Sequence, residues 1–212
     1  LEARGHGNEI DELLRSDNAP AAVSLVDLEL ARGNSRPPQS SAQSFDENLT
    51  VDDRTPFSLN LSGGDPGALV RASGGLIRVQ DVGSQLAALA LWAAREALPG
   101  EHWLDMCAGP GGKAALLAGL ADERGADLVA LEPIPARARL VEHSLAHAPG
   151  APEVIVTDAR DFESDEPFDR ILIDAPCTGL GALRRRPEAR WRKQPSDVPT
   201  LAKLQRELLA HA

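Results

Sequence analysis

The segment Asp105-Met-Cys-Ala-Gly-Pro-Gly-Gly-Lys113 decides the fold of this protein. It lies between an apolar stretch typical of a β-strand, residues 103–106, and a stretch typical of a helix, residues 113–120. The start of such a helix offers unpaired backbone N–H groups and a positive dipole end, which favour a phosphate or an amino-acid carboxylate. The glycine spacing matches neither the P-loop nor the dinucleotide fingerprint, so the motif alone leaves open a tight turn that binds no ligand.

Strands and helices alternate on both sides of this turn. Such alternation produces right-handed crossovers and a parallel sheet, and ligands of these sheets bind at the carboxyl ends of the strands. We therefore expect an α/β fold. The predicted helices span residues 84–98, 113–120, 135–147 and 197–212, and the predicted strands span residues 103–106, 127–131, 154–157 and 170–173.

Acidic residues follow two of the predicted strands. Glu132 ends the second strand, where a carboxylate can accept hydrogen bonds from ribose hydroxyls. Asp158 ends the third, where it could accept a bond from an adenine amino group. Each residue alone could equally be a solvated charge. Together with the glycine turn, they indicate a ligand that contains adenosine.

The first third of the chain has a different composition. Residues 1–75 are predicted to form an N-terminal extension and flexible connector, and residues 76–212 to form the main domain. Within the extension, we expect a short helix at 11–15, a strand at 22–30, a loop at 33–55 and a turn at 62–67.

Composition excludes several classes of protein. A net charge of −10 and an aromatic content of 3% argue against indiscriminate nucleic-acid coating and against stacking of many bases. Two cysteines form no disulfide framework, residues 1–10 do not resemble a signal peptide, and no apolar run is long enough to span a membrane. We expect a cytoplasmic protein. Because its histidines and cysteines lack ligand spacing, we expect no metal.

Three motifs carry a specific resemblance to a known family. They are Val79-Gln-Asp-Val-Gly-Ser-Gln85, Leu104-Asp-Met-Cys-Ala-Gly-Pro-Gly-Gly-Lys113 and Phe168-Asp-Arg-Ile-Leu-Ile-Asp-Ala-Pro-Cys177. In this order and spacing the sequence resembles the Sun/Nop family of RNA (cytosine-5) methyltransferases, and most of all the bacterial Sun (RsmB-like) 16S rRNA enzymes. The resemblance covers residues 76–212, whereas residues 1–75 occupy the place of the family's small RNA-binding extension.

The resemblance implies a class I, Rossmann-like fold that binds S-adenosyl-L-methionine. Glu132 would hold the ribose, Asp158 would lie by the adenine, and Asp174 would lie beside the methyl donor. Arg137 matches a family arginine, although a surface salt bridge is an equal alternative for it. The residues that would cradle the methionine part are Cys107, Ala108, Gly109, Pro110, Gly111, Gly112 and Lys113.

Asp174 and Cys177 supply the residue types that cytosine-5 chemistry needs. Carbon 5 becomes nucleophilic when a thiolate adds to carbon 6, and an acidic group assists at the ring. In the family, a later Thr-Cys cysteine attacks and the Pro-Cys cysteine releases the product. By this analogy Cys177 is the release cysteine, whereas in DNA cytosine-5 enzymes the Pro-Cys cysteine attacks. Cys107 is expected to pack inside the turn.

The chain ends at Ala212, before any such Thr-Cys motif. We therefore expect a fold truncated after its fourth strand. An open apolar strand edge would then leave the isolated chain marginally stable or prone to aggregation.

A basic cluster follows the Pro-Cys loop. Its charges could guide RNA phosphates to the site, and its tryptophan could stack on a base or pack beneath the loop. The alternative is a solvated charged loop. The cluster consists of Arg184, Arg185, Arg186, Arg190, Trp191, Arg192 and Lys193.

Methylation of cytosine in ribosomal RNA is the predicted function. The alternative is a fragment that binds S-adenosylmethionine without turnover because the later cysteine is missing. If the substrate were a small molecule or a protein, the Pro-Cys motif and the basic cluster would have no function. The glycine spacing disfavours an NAD-dependent dehydrogenase.

Overall fold

The structure, a computed structural model, describes residues 9–18, 23–33, 47–183 and 188–212. It contains two compact units. The larger comprises Val23–Ala175 and Arg206–Ala212, and the smaller comprises the described parts of Leu1–Ala22 and Pro176–Gln205. The helices are α1 (Ile10–Asn18), α2 (Leu28–Ala31), α3 (Pro66–Ala72), α4 (Val82–Ala93), α5 (Gly112–Glu123), α6 (Pro135–Leu145), α7 (Ala189–Arg192) and α8 (Asp197–His211). The strands are β1 (Val23–Asp27), β2 (Leu49–Val51), β3 (Ser58–Leu61), β4 (Ile77–Val79), β5 (His102–Asp105), β6 (Asp127–Leu131), β7 (Glu153–Ile155) and β8 (Arg170–Leu172).

A parallel sheet forms the centre of the larger unit. Its strand order is β7-β6-β5-β8, so β7 and β8 lie at its edges. Trp103 of β5 is paired with Leu128 on one side and Arg170 on the other. The α/β prediction and its four strands are therefore confirmed, and the carboxyl ends of all four strands lie along one edge of the sheet.

Helix α5 is the most buried helix of the larger unit. Every residue from 114 to 121 is buried. Because its apolar residues surround the helix instead of forming one stripe, it needs cover on all sides. Strand β6 and helices α2, α4 and α6 supply this cover. The glycine turn that precedes α5 is consequently held on a rigid support.

An antiparallel sheet of order β2-β3-β1-β4 precedes the parallel one. Sequence analysis predicted a strand over residues 22–30, but β1 ends at Asp27 and α2 follows. Asp27 caps that helix, since its Oδ1 accepts a hydrogen bond from Glu29 N at 3.1 Å. Strand β2 lies within the predicted loop 33–55, of which residues 34–46 are outside the described residues. Strands β3 and β4 and helix α3 were not predicted. The division at residue 75 stays a prediction.

A buried glutamine joins the antiparallel sheet to helix α4. Gln85 of α4 is fully buried, and its Nε2 donates to Leu25 O at 3.0 Å and to Gln80 O at 3.2 Å. Its Oε1 accepts from Thr55 Oγ1 at 2.5 Å. All of its polar atoms are thus paired, and the antiparallel sheet is fastened to the first helix of the α/β part.

An ion pair lies at the amino ends of β5 and β8, opposite the edge of the parallel sheet where the carboxyl ends lie. Arg170 Nε donates to Glu101 Oε2 at 2.8 Å, and its guanidinium also donates to the carbonyls of Leu91 and Trp92. These bonds occupy carbonyl oxygens at the end of α4, which explains why the helix ends at Ala93 and not at the predicted residue 98. Burial opposes ionisation of Glu101, but its hydrogen bonds outweigh this effect and lower its pKa to about 2.

Candidate active site

The glycine turn requires glycine at its last position. Gly111 has φ +89° and forms the N-cap of α5. A Cβ there would lie 2.7 Å from Ser144 Cβ and 2.9 Å from Val141 Cα. The turn therefore packs directly against α6. Because a glycine cap has no side chain, the N–H groups of the first helical turn have no capping side chain.

Carboxylates from the carboxyl ends of the strands converge on this turn. Burial and, to a smaller extent, nearby negative charges raise the pKa of the Cys107 thiol to about 11. A thiol with such a pKa is protonated at neutral pH and is a poor nucleophile. The carboxylates that act on it are Asp105, Asp174, Glu132 and Asp158.

Asp105 is a member of this group that sequence analysis did not assign to the site. It is 1% exposed, and burial raises its pKa to about 7. Its Oδ1 accepts from Cys107 N at 3.2 Å. The signal was present in the sequence, because Asp105 ends its strand in the same way as Glu132 and Asp158.

Glu132 is held in place at the end of β6. The residue is 2% exposed, and its Oε1 accepts from Ile134 N at 3.1 Å. Arg137 Nη2 lies 3.4 Å from Glu132 Oε2 and 3.2 Å from the Cβ position of Gly109. The salt bridge predicted as an alternative for Arg137 is present, and it lies over the glycine turn.

Asp158 is paired with an arginine. Arg160 Nε donates to Asp158 Oδ1 at 3.0 Å and Nη2 to Oδ2 at 2.8 Å. These hydrogen bonds lower the pKa of Asp158 to about 2. Arg160 also contacts Glu207 at 2.6 Å. The carboxylate is therefore ionised and oriented within the larger unit.

A lysine connects the glycine turn with the loop after β8. Lys113 Nζ donates to Asp174 Oδ2 at 2.5 Å. The Lys113 side chain is 17% exposed, and that of Asp174 is 53% exposed. Lys113 thus gives Asp174 a cationic partner at a position that a second ligand can reach.

Cys177 and the basic cluster belong to the smaller unit. Cys177 is an exposed free thiol, and the neighbouring Pro176 carbonyl accepts from Gln205 Nε2 at 2.8 Å. Trp191 is 81% exposed, so it does not pack beneath the loop. Arg192 and Lys193 are also exposed. Of the other cluster members, Arg184, Arg185 and Arg186 lie outside the described residues, and Arg190 is described only as part of α7.

No group of three or more His, Cys, Asp or Glu side chains among the described residues could hold a metal ion. None of the described helices is long and apolar enough to cross a membrane.

The parallel sheet, the glycine turn and the acidic strand ends define a class of protein. It is the S-adenosylmethionine-dependent methyltransferase class with a Rossmann-like fold, whose methyl donor and cofactor is S-adenosyl-L-methionine. More specifically, the chain belongs to the RsmB/F family of 16S rRNA methyltransferases, whose family model matches residues 93–212. The family predicted from the sequence motifs is confirmed.

Curated relatives support this assignment. The chain is 48% identical over 206 residues to the candidate methyltransferase Rv1407 of Mycobacterium tuberculosis, covering 96% of the chain and 43% of that protein. It is 42% identical over 139 residues to ribosomal RNA small subunit methyltransferase B of Pseudomonas putida, covering 64% of the chain and 30% of that protein. The chain thus spans less than half the length of these relatives.

A solved structure has the same fold over nearly the whole chain. The crystal structure of PH0851 matches with a TM-score of 0.82 and 27% sequence identity. The match covers 97% of this chain and 46% of PH0851. It includes the antiparallel sheet as well as the parallel one.

Proposed function

We propose that this protein transfers a methyl group from S-adenosyl-L-methionine to carbon 5 of a cytosine in 16S ribosomal RNA. The observation that carries the proposal is the hydrogen bond between Lys113 and Asp174. It joins the turn expected to hold the donor to the Asp174-Ala-Pro-Cys177 loop expected to receive the base. Curated relatives named as ribosomal RNA small subunit methyltransferase B support the substrate.

The charges of the site fit this donor. S-adenosylmethionine carries a positive sulfonium, and Asp105, Glu132 and Asp174 surround the turn with carboxylates. Negative charges near the turn attract a cation and repel the pyrophosphate of a dinucleotide. The uncapped N-terminus of α5 suits the carboxylate of the methionine part. The turn residues Cys107 to Lys113 would cradle this part.

The remaining contacts follow from the acidic residues. Glu132 is buried and already oriented, which suits it to accept hydrogen bonds from the ribose hydroxyls. Asp158 would lie by the adenine and release part of its bonding to Arg160. Arg137 would hold Glu132 in place. The bound donor supplies an electrophilic methyl group on sulfur.

Asp174 acts on the base in this proposal. Carbon 5 of cytosine attacks the methyl group after a thiolate has added to carbon 6, then loses its proton while the thiolate leaves. The exposed carboxylate of Asp174 would contact the cytosine ring. By family resemblance, the attacking thiolate belongs to a later Thr-Cys motif and Cys177 assists release. Cys107 is unsuited to attack because its thiol has a pKa of about 11.

Exposed basic and aromatic residues would hold the RNA. Trp191, Arg192 and Lys193 are all exposed, as stacking on a base and contact with phosphates require. The target cytosine must leave its stack to reach Asp174. A cytoplasmic location stays the prediction from the cysteine content.

Donor binding without turnover is the second candidate function. Two observations favour it: the chain has two cysteines, and it spans less than half the length of its relatives. If the attacking cysteine belongs to a later motif, the 212-residue chain would bind the donor but would not methylate.

Transfer of labelled methyl to unmethylated small-subunit ribosomal RNA tests both candidates. The 212-residue chain is compared with the product of its uninterrupted reading frame, and Asp174→Asn is the inactive control. We expect 5-methylcytosine from the longer protein alone. Its formation by the short chain would make Cys177 the nucleophile, and no methylation by either protein would refute the RNA substrate.

A further inference from the structure

Gln80 is fixed by its backbone between the antiparallel sheet and α4. Its N–H donates to Ser24 O at 3.1 Å, and its carbonyl accepts from Gln85 Nε2 at 3.2 Å. The residue is 6% exposed. The partners in these two bonds lie in β1 and α4, which pack tightly. The fold therefore sets the direction of the Gln80 side chain.

Among the residues that the structure describes, the side-chain amide of Gln80 has no hydrogen-bond partner. Neither its Nε2 nor its Oε1 makes a hydrogen bond, although both atoms are buried. Buried amides in folded proteins are nearly always paired, because an unpaired one loses its bonds to water without replacement. By contrast, the equally buried amide of Gln85 is fully paired. A bound ligand would supply the partner that the Gln80 amide lacks in the described part of the chain.

The Gln80 amide faces the start of α5. A Cβ on Gly112 would lie 3.7 Å from Gln80 Nε2. Gly112 is the first residue of this 12-residue helix, whose cap, Gly111, contributes no side-chain hydrogen bond. Two sets of groups that need partners thus meet at one place: the N–H groups of the first helical turn and a buried amide.

We propose that Gln80 binds the amino-acid end of the methyl donor. Its Nε2 donates to the ligand carboxylate at the N-terminus of α5, and its Oε1 accepts from the ligand ammonium group. An α-amino acid offers one acceptor and one donor side by side, and an amide offers the complementary pair. This inference rests on the proposed function, since it assigns a further residue to the same donor site.

Two ligands that differ in the amino-acid end test the proposal. S-Adenosylhomocysteine has this end, and 5′-methylthioadenosine lacks it but retains the adenosine and sulfur. Affinities are measured by calorimetry for the 212-residue chain and for Gln80→Met, which keeps the side-chain volume without the amide. We expect S-adenosylhomocysteine to bind the variant about 10- to 100-fold more weakly and 5′-methylthioadenosine to bind unchanged.

Asn60→Leu is the matched control. It removes another side-chain amide whose oxygen is buried without a hydrogen-bond partner among the described residues, but Asn60 lies in β3 of the antiparallel sheet, so both affinities should stay unchanged. If Gln80→Met does not fold, Gln80→Asn, which withdraws the amide by one methylene, takes its place with the same expected loss.

Three results would overturn the inference. Equal binding of S-adenosylhomocysteine by the variant and the unsubstituted chain would show that the amide does not contact the ligand. Equal weakening of both ligands would show that Gln80 only shapes the turn. If the unsubstituted chain binds neither ligand, the proposed function fails, and the inference fails with it.

Discussion

Gly111 combines two constraints in one residue. Its left-handed backbone strains any other residue, and a side chain would collide with α6. Gly111→Ala should therefore lower the free energy of unfolding by about 2–5 kcal/mol, the sum of backbone strain and overpacking. Urea denaturation measures this loss.

Gly100 provides the matched control for this substitution. It has φ +80°, but a Cβ there would meet nothing within 4 Å. Gly100→Ala should thus cost only the backbone strain, about 1–2 kcal/mol. Equal losses for the two variants would show that the contact with α6 is unimportant.

Asp105 should make the stability of the ligand-free protein depend on pH. Burial raises its pKa from 3.8 to about 7. Because the folded carboxyl holds its proton more tightly than the unfolded one, folding becomes less favourable as pH rises from about 4 to 7. Asp105→Asn should remove this fall, as measured by denaturation at several pH values.

An exposed aspartate on α5 serves as the control for Asp105. Asp122→Asn leaves the buried carboxyl in place and should retain the fall in stability. A flat profile in the unsubstituted protein would contradict the assignment to Asp105.

The acidic residues also show what sequence can predict at this scale. Glu132 and Asp158 were found because each ends a recognisable strand, and a carboxylate at that place has few alternatives. The bonding of Asp158 was not predictable, since its partner Arg160 also pairs with Glu207, which lies 47 residues further along the chain. Such partners are known only when the chain has folded.

Among the elements, β5, β8 and α4 meet at the ion pair of Glu101 and Arg170. Both side chains are less than 5% exposed. Glu101→Gln should destabilise the fold by about 3 kcal/mol, because it leaves the Arg170 charge buried without its partner. Glu96→Gln, an exposed neighbour, should have little effect.

The same pair predicts acid sensitivity. The pKa of Glu101 is lowered from 4.5 to about 2, so its contribution is present above the unfolded pKa and is lost as pH falls through about 2. Denaturation of Glu101→Gln between pH 5 and pH 2 should show a smaller loss than that of the unsubstituted protein. Parallel profiles would contradict this.

The missed elements have a common physical cause. Strands β3 and β4 contain four and three residues, too few for an alternating pattern to stand out. At α3, the Asp65-Pro66 pair was interpreted as part of a turn, but Asp65 caps the helix and Pro66 occupies its first turn. Long periodic elements such as α5 and α6 were predicted because they carry their own signal.

At the scale of the whole molecule, the open edge of the parallel sheet matters most. Strand β8 pairs with β5, and no other described strand pairs with its outer side. Unpaired edges invite association with other chains. We expect light scattering of the 212-residue chain to rise with protein concentration during heating. A cooperative, concentration-independent transition of a monomer would refute this expectation.

The carboxylates around the glycine turn have a consequence for turnover. A sulfonium ion becomes a neutral thioether when it gives up its methyl group, so the attraction exerted by Asp105, Glu132 and Asp174 falls in the same event. The demethylated product would therefore bind less tightly than the methyl donor. The site would thus distinguish the methyl donor from its demethylated product by one elementary charge. This difference would favour release of the product.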